Sequence, residues 1–225
     1  MQFLKLYKMK KQILLGLFAV TFSSALTAQL VGESGKKVYE SPKLKEEIAK
    51  HKTVAILPYK ATISFKRIPK NFDAEANKQD EKNLATNMQS GMYTYLLNKA
   101  DKFTVSFQDV ERTNALLKSA GVFDKLDEIT QDSICKILKV DAVIKCSYAY
   151  ERTGSEGGAI AKTILFGAGA GKTGSGALTM QLYNGPDGEL LWRFYKEMNE
   201  DVLGSANQVM DRMMRKVARN FPYEK

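Results

Sequence analysis

The sequence predicts an α/β fold: one domain with a mixed sheet of about five strands, helices on its faces and an inserted glycine-rich loop or hairpin. Two observations predict it. Residues 137–150 join a half of the chain with helical periodicity to a half dominated by alternating strands and glycine. Within them Val140, Ala142 and Ile144 alternate with mostly polar residues, which is typical of a strand buried well on one face and partly on the other. The turn signal at 184–188, between two alternating stretches, predicts a β-hairpin.

Residues 1–28 are predicted to be a secretory signal peptide. Four lysines precede an apolar run over 13–22, and small residues follow it up to Ala28. The run is about half of the roughly 20 residues that a membrane-spanning helix needs, so a retained anchor is the weaker interpretation. We expect cleavage after Ala28 and a periplasmic or outer-membrane-associated location. No cysteine stands at the cleavage point, which argues against a lipid anchor.

Loss of residues 1–28 removes four lysines and no acid, so the formal net charge falls from +9 to +5. This surplus is modest and is typical of lysines on solvated faces, so no nucleic-acid partner is expected. A flexible leader is predicted over 29–40 because that stretch is polar and without period. Residues 41–225 are then predicted to form the single domain, which is long enough to bury a core without disulfides.

The first elements of the domain follow from caps and apolar runs. Ser41-Pro42 is typical of a helix start and predicts a short helix to residue 50. The continuous apolar run over 53–58, stopped by proline, predicts a buried strand. Alternation over 62–66 then predicts an edge strand.

The middle of the chain predicts helices separated by a strand. Apolar residues at helical spacing predict a helix over 80–100. Alternation predicts a strand over 103–107, after which Asp109 is expected to cap a helix that ends at Gly121. A second apolar helical pattern predicts a helix over 126–138.

The hairpin and the last helix complete the predicted domain. One hairpin strand begins at Leu178, and the return strand is expected to place Leu190, Trp192 and Phe194 on one buried face. A broad stripe rich in methionine predicts a helix over 202–219. Methionine at this spacing is core more often than interface.

The glycine-rich segment over 153–176 allows two interpretations. Its abundance of glycine predicts a mobile loop over the sheet edge, or a loop ordered by a partner. Its apolar island over 159–166 makes a membrane-spanning β-hairpin the alternative, although Lys162 and the lack of alternation count against it. Membrane contact through this segment is therefore left open.

The same segment contains Gly171-Lys172-Thr173, which is similar to the end of a phosphate-binding loop. The pattern needs a further glycine at position 166, where this chain has Phe166. The loop is also followed by an alternating strand rather than a helix. We therefore predict no nucleotide site and no phosphate chemistry at Lys172.

No residue stands out as catalytic, cofactor-binding or metal-ligating. His51 is the only histidine, so neither a histidine triad nor a multi-histidine metal site can form. Asp127 and Glu128 occur where exposed helix faces or caps are expected. Cys135 and Cys146 are the only cysteines; they either form a disulfide, if a helix packs over the strand, or are two buried thiols.

The order of elements resembles a broad family of bacterial envelope proteins. The strand over 53–58, the strand and helix after 103, the strand over 140–144 and the hairpin over 182–192 carry the resemblance. Its members include CsgG, the amino-terminal domain of TolB, and LpoB. The resemblance implies a mixed sheet flanked by helices that acts through protein contacts in the periplasm or at the outer membrane, without enzymatic chemistry. This chain departs from many members in lacking a lipid-bearing cysteine.

These observations predict an exported envelope protein that is not an enzyme and acts by protein–protein interaction. Its partner would be another envelope protein or a second copy of itself. The alternative is a subunit of an outer-membrane secretion-type oligomer that uses residues 153–176 as a membrane hairpin. A hydrolase of envelope polymers is the least favoured interpretation.

Overall fold

The computed structural model describes residues 35–152, 174–198 and 206–225. The predicted signal peptide, residues 29–34 of the leader, and residues 153–173 of the glycine-rich segment lie outside these ranges. The predictions about cleavage after Ala28, about Lys172 and about a membrane hairpin therefore remain predictions.

The described residues form a seven-stranded mixed sheet with helices, which confirms the predicted fold class. The sheet has more strands than the expected five. The strands are β1 (Lys36–Glu40), β2 (Thr53–Ile56), β3 (Lys60–Phe65), β4 (Ser106–Phe107), β5 (Ala142–Arg152), β6 (Gly174–Asn184) and β7 (Leu190–Met198). The helices are α1 (Leu44–Ile48), α2 (Ala74–Leu97), α3 (Val110–Ser119), α4 (Gln131–Leu138) and α5 (Ala206–Ala218), with 3₁₀ turns at Ala100–Lys102 and Phe123–Lys125.

The strand order is β1-β7-β6-β5-β2-β4, and β3 pairs with β5 beyond the end of β2. Strands β2 and β3 both run parallel to β5, and β4 runs parallel to β2. The pairs β5–β6, β6–β7 and β7–β1 are antiparallel. The predicted organising strand β5 is thus the one at which parallel pairing changes to antiparallel pairing.

The two faces of β5 differ in burial as its alternation predicts. Ala142, Ile144 and Cys146 lie on a face covered by the main core, to which α2 and α5 contribute. Val143 lies on the opposite face, in a smaller cluster formed with α3 and α4. One face is therefore buried along the whole strand and the other only at its start.

Strand β1 lies within the stretch that the sequence assigns to a flexible leader. All five of its side chains are exposed, so no apolar period marks it as a strand. It is held by backbone pairing with β7, from Lys36 opposite Lys196 to Glu40 opposite Trp192. The leader prediction is corrected here because backbone hydrogen bonding can form a strand without burying side chains.

Several helices begin elsewhere than periodicity predicts. Helix α2 starts at Ala74 rather than 80, since the Asp73 carboxylate accepts hydrogen bonds from the Glu75 and Ala76 amides at 2.9 and 3.1 Å. The turns that precede residue 80 are mostly polar and carry no apolar stripe. Helix α4 starts at Gln131 rather than 126. The predicted Asp109 cap of α3 is confirmed, and Gly121 follows the helix with a φ of +69°.

The hairpin of β6 and β7 is confirmed, but its register differs at one residue. Trp192 and Phe194 are buried on the main-core face as predicted. A bulge lies between Leu182 and Tyr183, which pair with Trp192 and Leu190 respectively. The bulge places Leu191 rather than Leu190 in the main core.

Candidate functional site

One face of the sheet is left uncovered by the described helices over β1, β7, β6 and the outer half of β5. Helices α3 and α4 pack mainly against β2, the start of β5 and the end of β6. We call the uncovered region the open face. It carries Lys37, Tyr39, Ser147, Ala149, Thr179, Gln181, Arg193 and Tyr195.

Cross-strand register brings the side chains of the open face together. Tyr39 lies opposite Arg193 and Lys37 opposite Tyr195, so tyrosine and basic residues alternate across β1 and β7. Thr179 lies opposite Tyr195 on the other side. The Tyr195 hydroxyl donates to Glu197 Oε1 at 3.0 Å. The result is a surface of aromatic and cationic side chains on paired strands, and two of its residue types, tyrosine and arginine, are enriched at protein interfaces.

A groove of about 390 Å³ lies where β2 ends and β3 begins. The 3₁₀ turn Phe123–Lys125 and Asp127 border it, as does Lys145 of β5. Asp127 accepts from Lys60 Nζ at 2.7 Å and from Lys145 Nζ at 2.8 Å. The hydrogen bonds from these two ammonium groups lower the pKa of Asp127 to about 2, and the bond from Lys145 has the larger effect.

Asp127 thus acts as a clamp that ties the turn before α4 to β3 and β5. The sequence places this carboxylate only on an exposed helix face or cap, because its lysine partners are 67 and 18 residues away. Lys60 and Lys145 are both paired with Asp127, so for these two lysines the arrangement favours a structural contact over a charged binding site.

Replacing Asp127 by asparagine is expected to lower the free energy of unfolding by less than about 1 kcal/mol at pH 7, since the ion pairs are exposed. A carboxylate whose pKa is lower in the folded than in the unfolded state stabilises the fold above its unfolded value of about 4. That contribution disappears as the pH falls through about 2, the folded value. Urea unfolding at pH 7, 4 and 2.5 should therefore show the free energies of unfolding of the unaltered protein and of Asp127→Asn converging at low pH.

Asp124→Asn is the control, because Asp124 is an exposed carboxylate beside the same groove. A difference between Asp127→Asn and the unaltered protein that does not change with pH would contradict the clamp.

His51 lies in a buried hydrogen-bond network between distant parts of the chain. Its Nδ1 is 2.6 Å from the Tyr223 hydroxyl and its Nε2 is 2.9 Å from Asn184 Oδ1. The Asn184 amide nitrogen donates to Asp187 Oδ1 at 2.9 Å and faces Glu47 Oε2 at 3.4 Å. Since both carboxylates require a donor, the carbonyl oxygen of Asn184 faces His51, and Nε2 carries the hydrogen.

In the neutral ring Nδ1 is then the acceptor for the Tyr223 hydroxyl. Burial raises the pKa of that hydroxyl well above its ordinary range, so it remains a donor. The network joins the loop before β2, the start of the β6–β7 turn and the end of the chain. Every member has a partner, which favours a structural role for His51.

The two cysteines are buried thiols on opposite faces of the sheet. Cys135 of α4 belongs to the smaller cluster, whereas Cys146 of β5 points into the main core. The helix does pack over the strand, but the sheet separates the two sulfurs, so the disulfide alternative is excluded. Burial raises the pKa of each thiol to about 12, which makes both poor nucleophiles.

Within the described ranges no group of three histidine, cysteine or carboxylate side chains is placed to hold a metal ion. None of the helices in those ranges is long and apolar enough to cross a membrane.

Sequence reasoning missed the open face as a candidate site. A signal was present, because Ser147 and Ala149 alternate with buried tyrosines on β5, and Thr179 and Gln181 alternate with buried apolar residues on β6. Alternation shows that the side chains at these positions point to the face opposite the main core. Whether a second helix layer covers them depends on where α3 and α4 pack.

No family model and no curated protein matches this chain. Similar solved structures include lipoprotein GNA1162 from Neisseria meningitidis, with 11% identity and a TM-score of 0.43 over 75% of this chain and 94% of that one. A PelC dodecamer from Paraburkholderia phytofirmans has 11% identity and a TM-score of 0.34 over 85% and 99% of the two chains. The LpoB C-terminal domain from Escherichia coli has 10% identity and a TM-score of 0.31 over 71% and 94%.

LpoB, one member of the family that the sequence resembles, is thus among these structures. The resemblance to CsgG and to TolB stays a prediction. With these low identities and TM-scores, none of the likenesses says what this chain binds.

Proposed function

We propose that this chain is an exported protein of the cell envelope that acts by binding another envelope protein through its open face. The observation that carries the proposal is the uncovered region of the sheet. Most of its side chains stand on β5, β6 and β7, which are paired on both sides, so binding would order few flexible groups.

Residue types on the open face support a protein partner. Tyrosine and arginine are enriched at interfaces, and Tyr39, Arg193 and Tyr195 lie together there. By contrast, the exposed side of α2 carries mainly small, polar and charged residues, which are typical of solvated surface. Export is supported by the order of lysines, apolar residues and small residues in the first 28 positions.

Site-specific photocross-linking in cells tests the proposal. A photoreactive amino acid at Thr179, in the centre of the open face, should give a discrete cross-linked product in the envelope fraction. The same residue at Lys82, exposed on α2, is the matched control and should not give it. Arg193→Glu should abolish the product while the purified variant keeps its unfolding midpoint.

Equal cross-linking at positions 179 and 82, or a full-length product confined to the cytoplasm, would contradict the proposal. A product that appears only in detergent-extracted, membrane-sedimenting oligomers would favour the outer-membrane subunit instead.

A further inference from the structure

Strand β1 is an open edge of the sheet within the described residues. The Glu197 amide donates to the Gly35 carbonyl at 3.0 Å, and the Ser41 amide donates to the Leu191 carbonyl at 2.8 Å. Hydrogen-bonded positions alternate along an antiparallel strand, so the backbone groups of Lys37 and Tyr39 face β7. The amide and carbonyl groups of Val38 therefore point away from the sheet.

Within the described residues, the backbone of β1 is not obstructed at this edge, and the charged side chains of Lys36, Lys37 and Glu40 are its only protection against pairing. The strand contains neither proline nor a bulge, and each of its five residues is in register with β7. Natural sheets usually obstruct such an edge, because exposed amides and carbonyls pair readily with another strand. The side chains of Val38 and Tyr39 are 38% and 49% exposed.

The sequence of β1, Lys-Lys-Val-Tyr-Glu, is complementary to itself in one antiparallel register. When Val38 faces Val38 of a second copy, Lys36 lies opposite the second copy's Glu40. Lys37 then lies opposite the second copy's Tyr39, on the open-face side. The register thus creates two pairs of opposite charge and two lysine–tyrosine contacts, each of which stabilises cross-strand pairing.

The backbone selects the same register. Lys36, Val38 and Glu40 share the outward direction of their backbone groups, and this register pairs outward-directed residues with one another. A shift that places residue 37 opposite itself would bring two lysines together. A parallel arrangement in register would place every charge beside its own copy.

We propose that two copies of this chain pair through β1, antiparallel and about a two-fold axis at Val38, to form one continuous sheet. Such an interface is isologous, so each favourable contact occurs twice. Five residues per strand bury less than the roughly 1,200 Å² of a stable interface, so the dimer is weak and depends on protein concentration. This proposal concerns the sheet edge and does not depend on a partner for the open face.

Sedimentation velocity of the purified mature protein over a range of concentrations tests the proposal. The unaltered chain should show a monomer–dimer equilibrium, and Glu40→Lys should shift it to monomer because lysines then face each other. The double variant Lys36→Glu/Glu40→Lys restores opposite charges in the proposed register and should restore the dimer. Dimerisation that Glu40→Lys does not weaken, or that the double variant does not recover, would overturn the proposal.

An engineered thiol provides a second test on a chain whose own cysteines are buried. Val38→Cys places two thiols across the two-fold axis, at a Cα separation of about 5.5 Å that a disulfide can span. Mild oxidation should therefore give a covalent dimer. Thr86→Cys, exposed on α2, is the control and should remain monomeric. A Val38→Cys chain that stays monomeric, or that joins only a different protein, would overturn pairing between two copies.

Discussion

Replacing Trp192 by alanine is expected to lower the free energy of unfolding by about 3 to 5 kcal/mol, the range for buried large aromatics. Trp192 is fully buried. Its ring stacks on Phe194 with centroids 5.9 Å apart and meets Phe221 edge to face at 6.0 Å. The substitution removes these contacts from both the hairpin and the end of the chain. Urea unfolding followed by circular dichroism measures the loss.

Trp192→Phe is the matched control. The indole nitrogen is buried without a hydrogen-bond partner among the described residues, so its removal forfeits no hydrogen bond there. We expect the phenylalanine variant to lose less than half of what the alanine variant loses. A loss below about 1 kcal/mol in Trp192→Ala would contradict burial of this strand face and would require the opposite register of β7.

Replacing His51 by leucine is expected to lower the free energy of unfolding by roughly 2 to 6 kcal/mol. The change leaves two buried groups, the Tyr223 hydroxyl and Asn184 Oδ1, without the hydrogen-bond partner that His51 provides. Each such loss costs about 1 to 3 kcal/mol. Because the network joins segments distant in sequence, the loss should appear in global unfolding. Denaturant unfolding at neutral pH measures it.

Two variants separate this network from a general effect of leucine. Lys52→Leu changes the neighbouring exposed residue and should alter stability by no more than about 0.5 kcal/mol. Tyr223→Phe removes one hydrogen bond and leaves only the Nδ1 atom of His51 without a partner. Its loss of free energy of unfolding should therefore lie between those of Lys52→Leu and His51→Leu. If Lys52→Leu and His51→Leu behaved alike, the buried network would not contribute to stability.

The elements that sequence reasoning predicts well are those whose burial has a period. Val143 is the apolar residue that β5 presents to its second face, and it lies in the smaller cluster while its neighbours lie in the main core. The Asp109 cap and Gly121 bound α3 as predicted, because capping is a local hydrogen-bond requirement.

Elements without a period were missed or misplaced. Strand β1 buries no side chain, and the first turns of α2 are polar, so neither produced an apolar pattern. The bulge at Leu182 and Tyr183 moved Leu191 into the core in place of Leu190. Such a shift arises from the pairing of two strands, so the sequence of neither strand alone contains a signal for it.

By itself, the sequence of this protein determined the α/β class, the strand that separates helical from strand-rich chain, and the hairpin anchored by Trp192. These follow from local spacing, because the side-chain period of an element is set by its own backbone. Only the tertiary structure decided that the sheet separates Cys135 from Cys146, that Asp127 bridges Lys60 and Lys145, and that none of the described helices covers the open face. Each of these depends on which distant segments pack together, and that choice is made by the sum of many weak contacts across the fold.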